Sequence, residues 1–90
     1  MQRMIAEMRL AFIDDRLTHA GKVNRKDIEK AFAVTMLTAS YDIRDFLKIY
    51  PGRMAYNAFQ KTYRPVTKEP VFSEAKRLAV RQIVNVFRAK

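Results

Sequence analysis

Ninety residues bound the chain to one small domain, and a hydrophobic share of 49%, with six Phe and four Tyr, is enough for a core that buries only a modest fraction of the surface. Lys and Arg number 18 against nine Asp and Glu, a formal net charge of +9 that favours a polyanionic partner, although ribosomal, membrane-surface and DNA-binding proteins all share it. The absence of Cys excludes a disulfide framework, a thiolate zinc site and a cysteine nucleophile and fits a reducing cytoplasm, while apolar runs of a few residues broken by charges exclude a membrane span or a signal peptide.

Position narrows the meaning of the charge. The excess is carried by residues 21–35, 51–70 and 71–90, whereas 1–20 and 36–50 each balance. Residues 1–20 read as a first helix in which Ala6, Leu10, Ile13 and Leu17 recur at helical spacing, with Gly21 as the left-handed residue that ends it. A second apolar stripe, Met1, Met4, Ile5, Met8 and Phe12, lies well around the same cylinder. Either another helix of the chain covers it or it is a subunit interface.

Residues 24–50 read as a helix-turn-helix. Asn24 is an N-cap, Asp27 stands three residues on, and Val23 and Ile28 are placed as a hydrophobic staple, so a second helix runs from Arg25 to about Ala33. Val34 and Thr35 make the turn, with Thr35 capping a third helix through the N–H near Thr38. In that helix Ala39, Ile43, Phe46, Leu47 and Tyr50 share the buried face. The opposite face carries Leu37, Thr38, Tyr41, Arg44 and Lys48, with Ser40 on its flank. In a major groove, Arg44 is suited to pair bidentately with guanine, Thr38 and Ser40 to donate or accept, and Leu37 and Tyr41 to touch a thymine methyl. The alternative is a solvated polar face on a core helix.

Pro51-Gly52 stops the third helix, and residues 53–64 read as a hairpin wing around the turn Ala58-Phe59-Gln60. Met54 and Tyr56 are expected on its core-facing side, with Arg53, Lys61 and Arg64 outward as phosphate contacts. Phe59 at the tip is placed either against a sugar or groove wall or as an ordinary packed turn residue. A connector with Pro65 and Pro70 then leads to Ser73, the expected N-cap of a last helix over 73–89. Its apolar arc is wide: Ala75, Leu78, Ala79, Ile83 and Val86, continued by Val80, Val84 and Phe87, leaving Arg77, Arg81, Asn85 and Arg88 a narrow polar face. Such coverage predicts burial on two sides, with Met1, Met4, Ile5, Met8, Phe12, Val80, Val84 and Phe87 at a homodimer interface; closure by the small domain itself is the competing account.

The runs from Arg9 to Leu17 and from Gly21 to Asp27, together with Ala39-Ser-Tyr-Asp-Ile43, Pro51-Gly-Arg-Met-Ala-Tyr-Asn57 and Lys61-Thr-Tyr63, resemble the N-terminal winged-helix domain of WYL-domain transcriptional regulators. These include repressors of bacterial phage-defence loci. The resemblance covers roughly residues 7–65, and the order and spacing of its short motifs carry the weight. It implies a winged helix that binds inverted-repeat DNA as a dimer, with Thr38, Ser40, Tyr41 and Arg44 in the reading role and Lys61 on the wing. WYL regulators continue into a ligand-sensing domain and a C-terminal dimerisation domain, so effector sensing is not implied here. The expectation is a stand-alone regulator of the kind that phages and mobile elements encode, or else an excised domain.

The sequence therefore predicts a mainly α fold with a small β-hairpin, residues 1–90 forming one winged helix-turn-helix plus a C-terminal helix. The expected function is a sequence-specific double-stranded DNA-binding repressor in the bacterial cytoplasm or nucleoid, acting as a homodimer. Its candidate DNA contacts are Thr35, Leu37, Thr38, Ser40, Tyr41, Arg44, Lys48, Arg53, Lys61 and Arg64. The alternatives are an interaction module, in which a phage or mobile-element protein grips a host protein through the apolar faces of the first and last helices, and a sequence-neutral nucleic-acid binder. An enzyme is not expected, and neither a catalytic residue, a metal nor a cofactor is assigned. Asp15 and His19 have metal-ligand spacing with Asp14 adjacent, but one His with two carboxylates reads as a solvated helix face.

Overall fold

The computed structural model describes residues 2–88, with side chains from residue 6 to residue 86. Four helices and one hairpin follow in the order α1 (Gln2–His19), α2 (Arg25–Phe32), α3 (Met36–Ile49), β1 (Met54–Asn57), β2 (Thr62–Pro65) and α4 (Glu74–Arg88). This is the winged helix-turn-helix with a C-terminal helix that the periodicity predicts.

The helix-turn-helix is built on local caps. The Asn24 side chain accepts from the Asp27 N–H while Asp27 Oδ2 accepts from the Asn24 N–H, a reciprocal box that starts α2. Thr35 Oγ1 accepts from the Thr38 N–H at 3.2 Å and starts α3. Between them Ala33 closes α2 in the left-handed conformation at φ 54°, so α2 ends one residue earlier than its apolar pattern predicts. A Cβ is unfavourable there, and Ala33→Gly is expected to stabilise the fold by about 1 kcal/mol, measured by urea unfolding. A loss of stability instead would show that the turn does not carry that strain.

The described apolar residues of α1 from Met8 to Leu17 pack into the chain's own core. Ile13 and Leu17 enter the core with Val23, Ile28, Ala39, Ile43, Phe46 and Met54, while α4 lies along α1 and inserts Val80 and Val84. Phe12 is 7% exposed and meets Phe32 edge-on with ring centroids 5.4 Å apart. Of the residues expected at a subunit interface, Phe12, Val80 and Val84 are therefore buried in the intrachain core, and Met8 is packed against it. They leave little surface for a second subunit. The side chains of Met4, Ile5 and Phe87, and all of Met1, lie outside the described residues.

The rotation of α4 departs from the predicted one. Arg77 and Arg81, expected in solvent, face α1, while Leu78, Ile83 and Val86 are exposed. The reason is charge, because α1 buries two carboxylates against α4. Asp15 is 5% exposed and receives Arg81 Nε at 3.0 Å and Nη2 at 2.7 Å; Asp14 is fully buried, with Arg77 Nε 3.9 Å away. A buried carboxylate requires a cation more strongly than a helix requires one more buried Leu. The same pairing overturns the solvated-face reading of Asp14 and Asp15, since only His19 of that trio is largely exposed.

The hairpin projects from this body. β1 and β2 pair antiparallel, Tyr56 opposite Tyr63, and Val23 adds a single bridge to Tyr63 with paired N–H···O bonds of 3.0 Å. Met54 at the root is buried as predicted, but Tyr56 is 53% exposed and rests on the Tyr63 ring instead of the core. Thr62 turns inward and donates to the Val23 carbonyl at 3.2 Å. The wing is covered at its base and bare along its outer half.

Candidate nucleic-acid interface

Capping and packing together set what α3 presents. With Ala39, Ile43 and Phe46 held in the core, Leu37 (62% exposed) and Tyr41 (47%) point away, joined by exposed Arg44 and Lys48 one and two turns on. Arg44 lies over the Tyr41 ring with its guanidinium carbon 4.8 Å from the centroid, a cation–π contact that holds the guanidinium on the presented face. Thr35 is exposed, and its hydroxyl is shared between the cap and Thr38 Oγ1. Opposite this face, Arg9 Nε reaches Asp42 Oδ2 at 2.5 Å and ties α1 to α3. Burial pushes the Asp42 carboxyl above its ordinary range, and the Arg9 guanidinium opposes this only in part.

The structure brings Ser40 of α3 and Lys61 of the wing to one groove. Ser40 is half-buried and opens onto a groove between α3 and the wing, lined also by Asn24, Arg25, Ile43, Tyr56, Lys61 and Tyr63. Lys61 is exposed on a left-handed backbone at φ 57°, and Arg64 is exposed with Nη1 donating to Gln60 Oε1 at 2.8 Å. Thr35, Leu37, Thr38, Tyr41, Arg44 and Lys48 all sit on α3 or its cap.

Arg53 does not join them. It is 2% exposed, its Nε donates to Asp14 Oδ1 at 2.8 Å, Nη1 to the Thr67 carbonyl at 2.6 Å and Nη2 to Thr18 Oγ1 at 3.0 Å. The sequence assigns it to a phosphate because it opens the wing, yet Asp14 needs a buried cation, and Arg53 supplies the nearer one at 2.8 Å against 3.9 Å for Arg77. It is a joist of the wing, holding the hairpin root to α1.

Three residues at the site escape the sequence reading. Arg25 Nη1 donates to Ser40 Oγ at 3.3 Å, which links the first turn of α2 to the reading helix. Tyr56 is exposed on the groove, and Met36 is 60% exposed beside Leu37. The exposure of Tyr56 follows from how far the wing projects, which alternation along a strand does not encode. Arg25 had a signal in its place at the start of α2, directly after the Asn24 cap.

Residues 6–84 match the winged helix-turn-helix domain of the BrxR transcriptional regulators. The chain belongs to that family. Its resemblance to the N-terminal winged helix of WYL-type regulators holds with it. The chain is 34% identical over 58 residues, 64% of its length, to the DNA-binding transcriptional repressor CapW of Escherichia coli and to that of Pseudomonas aeruginosa. It is 33% identical over 75 residues to CapW of Stenotrophomonas maltophilia. These stretches make up 19% of the first two relatives and 24% of the last, so the chain spans about a quarter of their length or less. No helix among the described residues is long and apolar enough to cross a membrane.

Proposed function

We propose that this BrxR-family domain reads double-stranded DNA in sequence-specific fashion as part of a transcriptional repressor. The observation that carries the reading is the α3 face. Leu37, Tyr41 and Arg44 are held outward, with Thr38 half-buried beside them, by a capped helix whose other side is locked in the core, and Lys61 of the wing stands across a groove from Ser40. Such a face mixes one guanine-reading cation with hydroxyl and apolar groups. A sequence-neutral binder would place more Lys there. In this reading α3 enters the major groove, and Lys61 and Arg64 take phosphates beside it. The site of action is the bacterial cytoplasm or nucleoid.

The functional unit is a homodimer on an inverted repeat, with half-sites about one helical turn, ~34 Å, apart. Its contact is not Phe12, Val80 and Val84, which the core has taken, but the outer stripe of α4, where Leu78, Ile83 and Val86 are exposed beside Ala75 and Ala79. That stripe is also what favours the second reading, a module that binds another protein through α4.

Selection decides between them. The purified protein is incubated with random DNA duplexes at moderate salt, and the bound fraction is recovered over several rounds and sequenced. Enrichment of an inverted repeat is expected. Binding without enrichment would replace sequence reading by packaging, and failure to bind would move the function to the α4 stripe and a protein partner.

A further inference from the structure

Phe59 is 96% exposed at the tip of the β1–β2 turn, the barest of the large apolar side chains among the described residues. It belongs to neither the core nor the residues packed against it. The tip that carries it is nonetheless well built. Asn57 Oδ1 accepts from the Gln60 N–H at 2.9 Å, Lys61 follows in the left-handed conformation, and Arg64 closes onto the Gln60 side chain. The ring is thus held out by an ordered turn. Lys22, Lys61 and Arg64 line the groove beside this turn with Gln60 and Thr62, and the one carboxylate there, Asp27, is paired with Arg16 at 3.5 Å.

An apolar tip backed by cations fits a ligand whose rim is anionic and whose interior is apolar. The minor groove of DNA has that form, with phosphates along both edges and stacked bases between them, and at roughly 6 Å across it admits a single wedge-shaped side chain. An anionic bilayer surface has a related form. DNA is favoured because Lys61 also lines the groove that runs to Ser40 on α3, so the tip and the reading helix meet one continuous surface.

We propose that Phe59 is an apolar wedge that enters the minor groove next to the α3 site and opens one base step, so that the wing bends the duplex. This rests on the DNA reading above and adds to it a deformation and a source of preference. Lys61 and Arg64 hold the two flanking backbones while the ring parts the step. Pyrimidine–purine steps unstack most readily, so TA or CA is selected at a position that no polar side chain touches.

The test uses the whole chain and the duplexes recovered by selection, labelled with a donor and an acceptor dye at their two ends. Wild-type protein is expected to raise energy transfer on binding, which reports a bend. Phe59→Ala, which removes no buried atom, should keep the wild-type circular dichroism, bind about ten-fold more weakly, as expected for one lost aromatic–base contact, and leave the duplex straighter. Phe59→Leu keeps an apolar wedge and should retain most of the bend. Equal affinity and equal energy transfer for wild type and Phe59→Ala would overturn the inference while leaving the DNA reading intact. So would weaker binding with an unchanged bend. If Phe59→Ala instead loses only binding to phosphatidylserine vesicles, the ring serves a membrane surface and the wedge is wrong. Failure of the wild type to bind any duplex would overturn both readings together.

Discussion

Asp14→Ala is expected to destabilise the fold by about 3–5 kcal/mol, a large part of the whole stability of a domain this size. The carboxylate is fully buried and accepts three hydrogen bonds from two parts of the fold: from Arg53 Nε at the root of the wing, and from the backbone N–H groups of Val71 at 3.0 Å and Phe72 at 2.9 Å, just before α4. Its removal leaves the Arg53 guanidinium, itself 2% exposed, without its counter-charge and two N–H donors without an acceptor. Replacing the pair should cost far less than breaking it. The double variant Asp14→Ala, Arg53→Met is expected to recover a substantial part of the loss, because a buried ion pair exchanged for apolar groups is often close to neutral. Urea unfolding of wild type, both single variants and the double variant gives the coupling between the two sites. Losses that simply add would show that Asp14 and Arg53 act independently, and a loss below about 1 kcal/mol for Asp14→Ala would show that the site is wetter than its geometry implies.

That cluster also marks where the sequence stops being legible. The starts of α2 and α3 are readable from Asn24, Asp27 and Thr35 because a cap is an exchange between residues three apart in the chain. The buried face of α3 is readable because its period is helical, and its presented face follows by subtraction. Arg53, Arg77 and Arg81 are misread for one common reason. Each is partnered by a carboxylate on α1, at separations from 39 to 66 residues, and the habit of assigning charge to solvent has no access to such pairs. Once Asp14 and Asp15 are buried, their partners must come from the arginines of the wing and of α4, and the outward turn of Leu78, Ile83 and Val86 follows from those pairs.

The same distinction between presented and buried arginines governs the sharpest functional test, on Arg44. Arg44→Ala should cost about 1–3 kcal/mol against the preferred site and relax selection at a single base pair. Arg44 is exposed on α3, as Arg53 on the wing is not, and its guanidinium is steadied over the Tyr41 ring at 4.8 Å, so little of its freedom remains to be lost on pairing. Guanine offers O6 and N7 to such a fork, and a Lys at the same place supplies one point charge instead of two parallel donors. Arg44→Lys should therefore retain most of the non-specific affinity while losing the preference for guanine. Lys61→Ala should do the reverse, weakening every duplex alike and lowering the dependence of log affinity on log salt by about one unit, as expected of a phosphate contact. Competition binding against a panel in which each base pair of the selected site is changed in turn separates the two patterns. If Arg44→Ala ranks the panel as wild type does, α3 is not in the major groove, and the face that carries Leu37, Thr38 and Tyr41 serves some other contact.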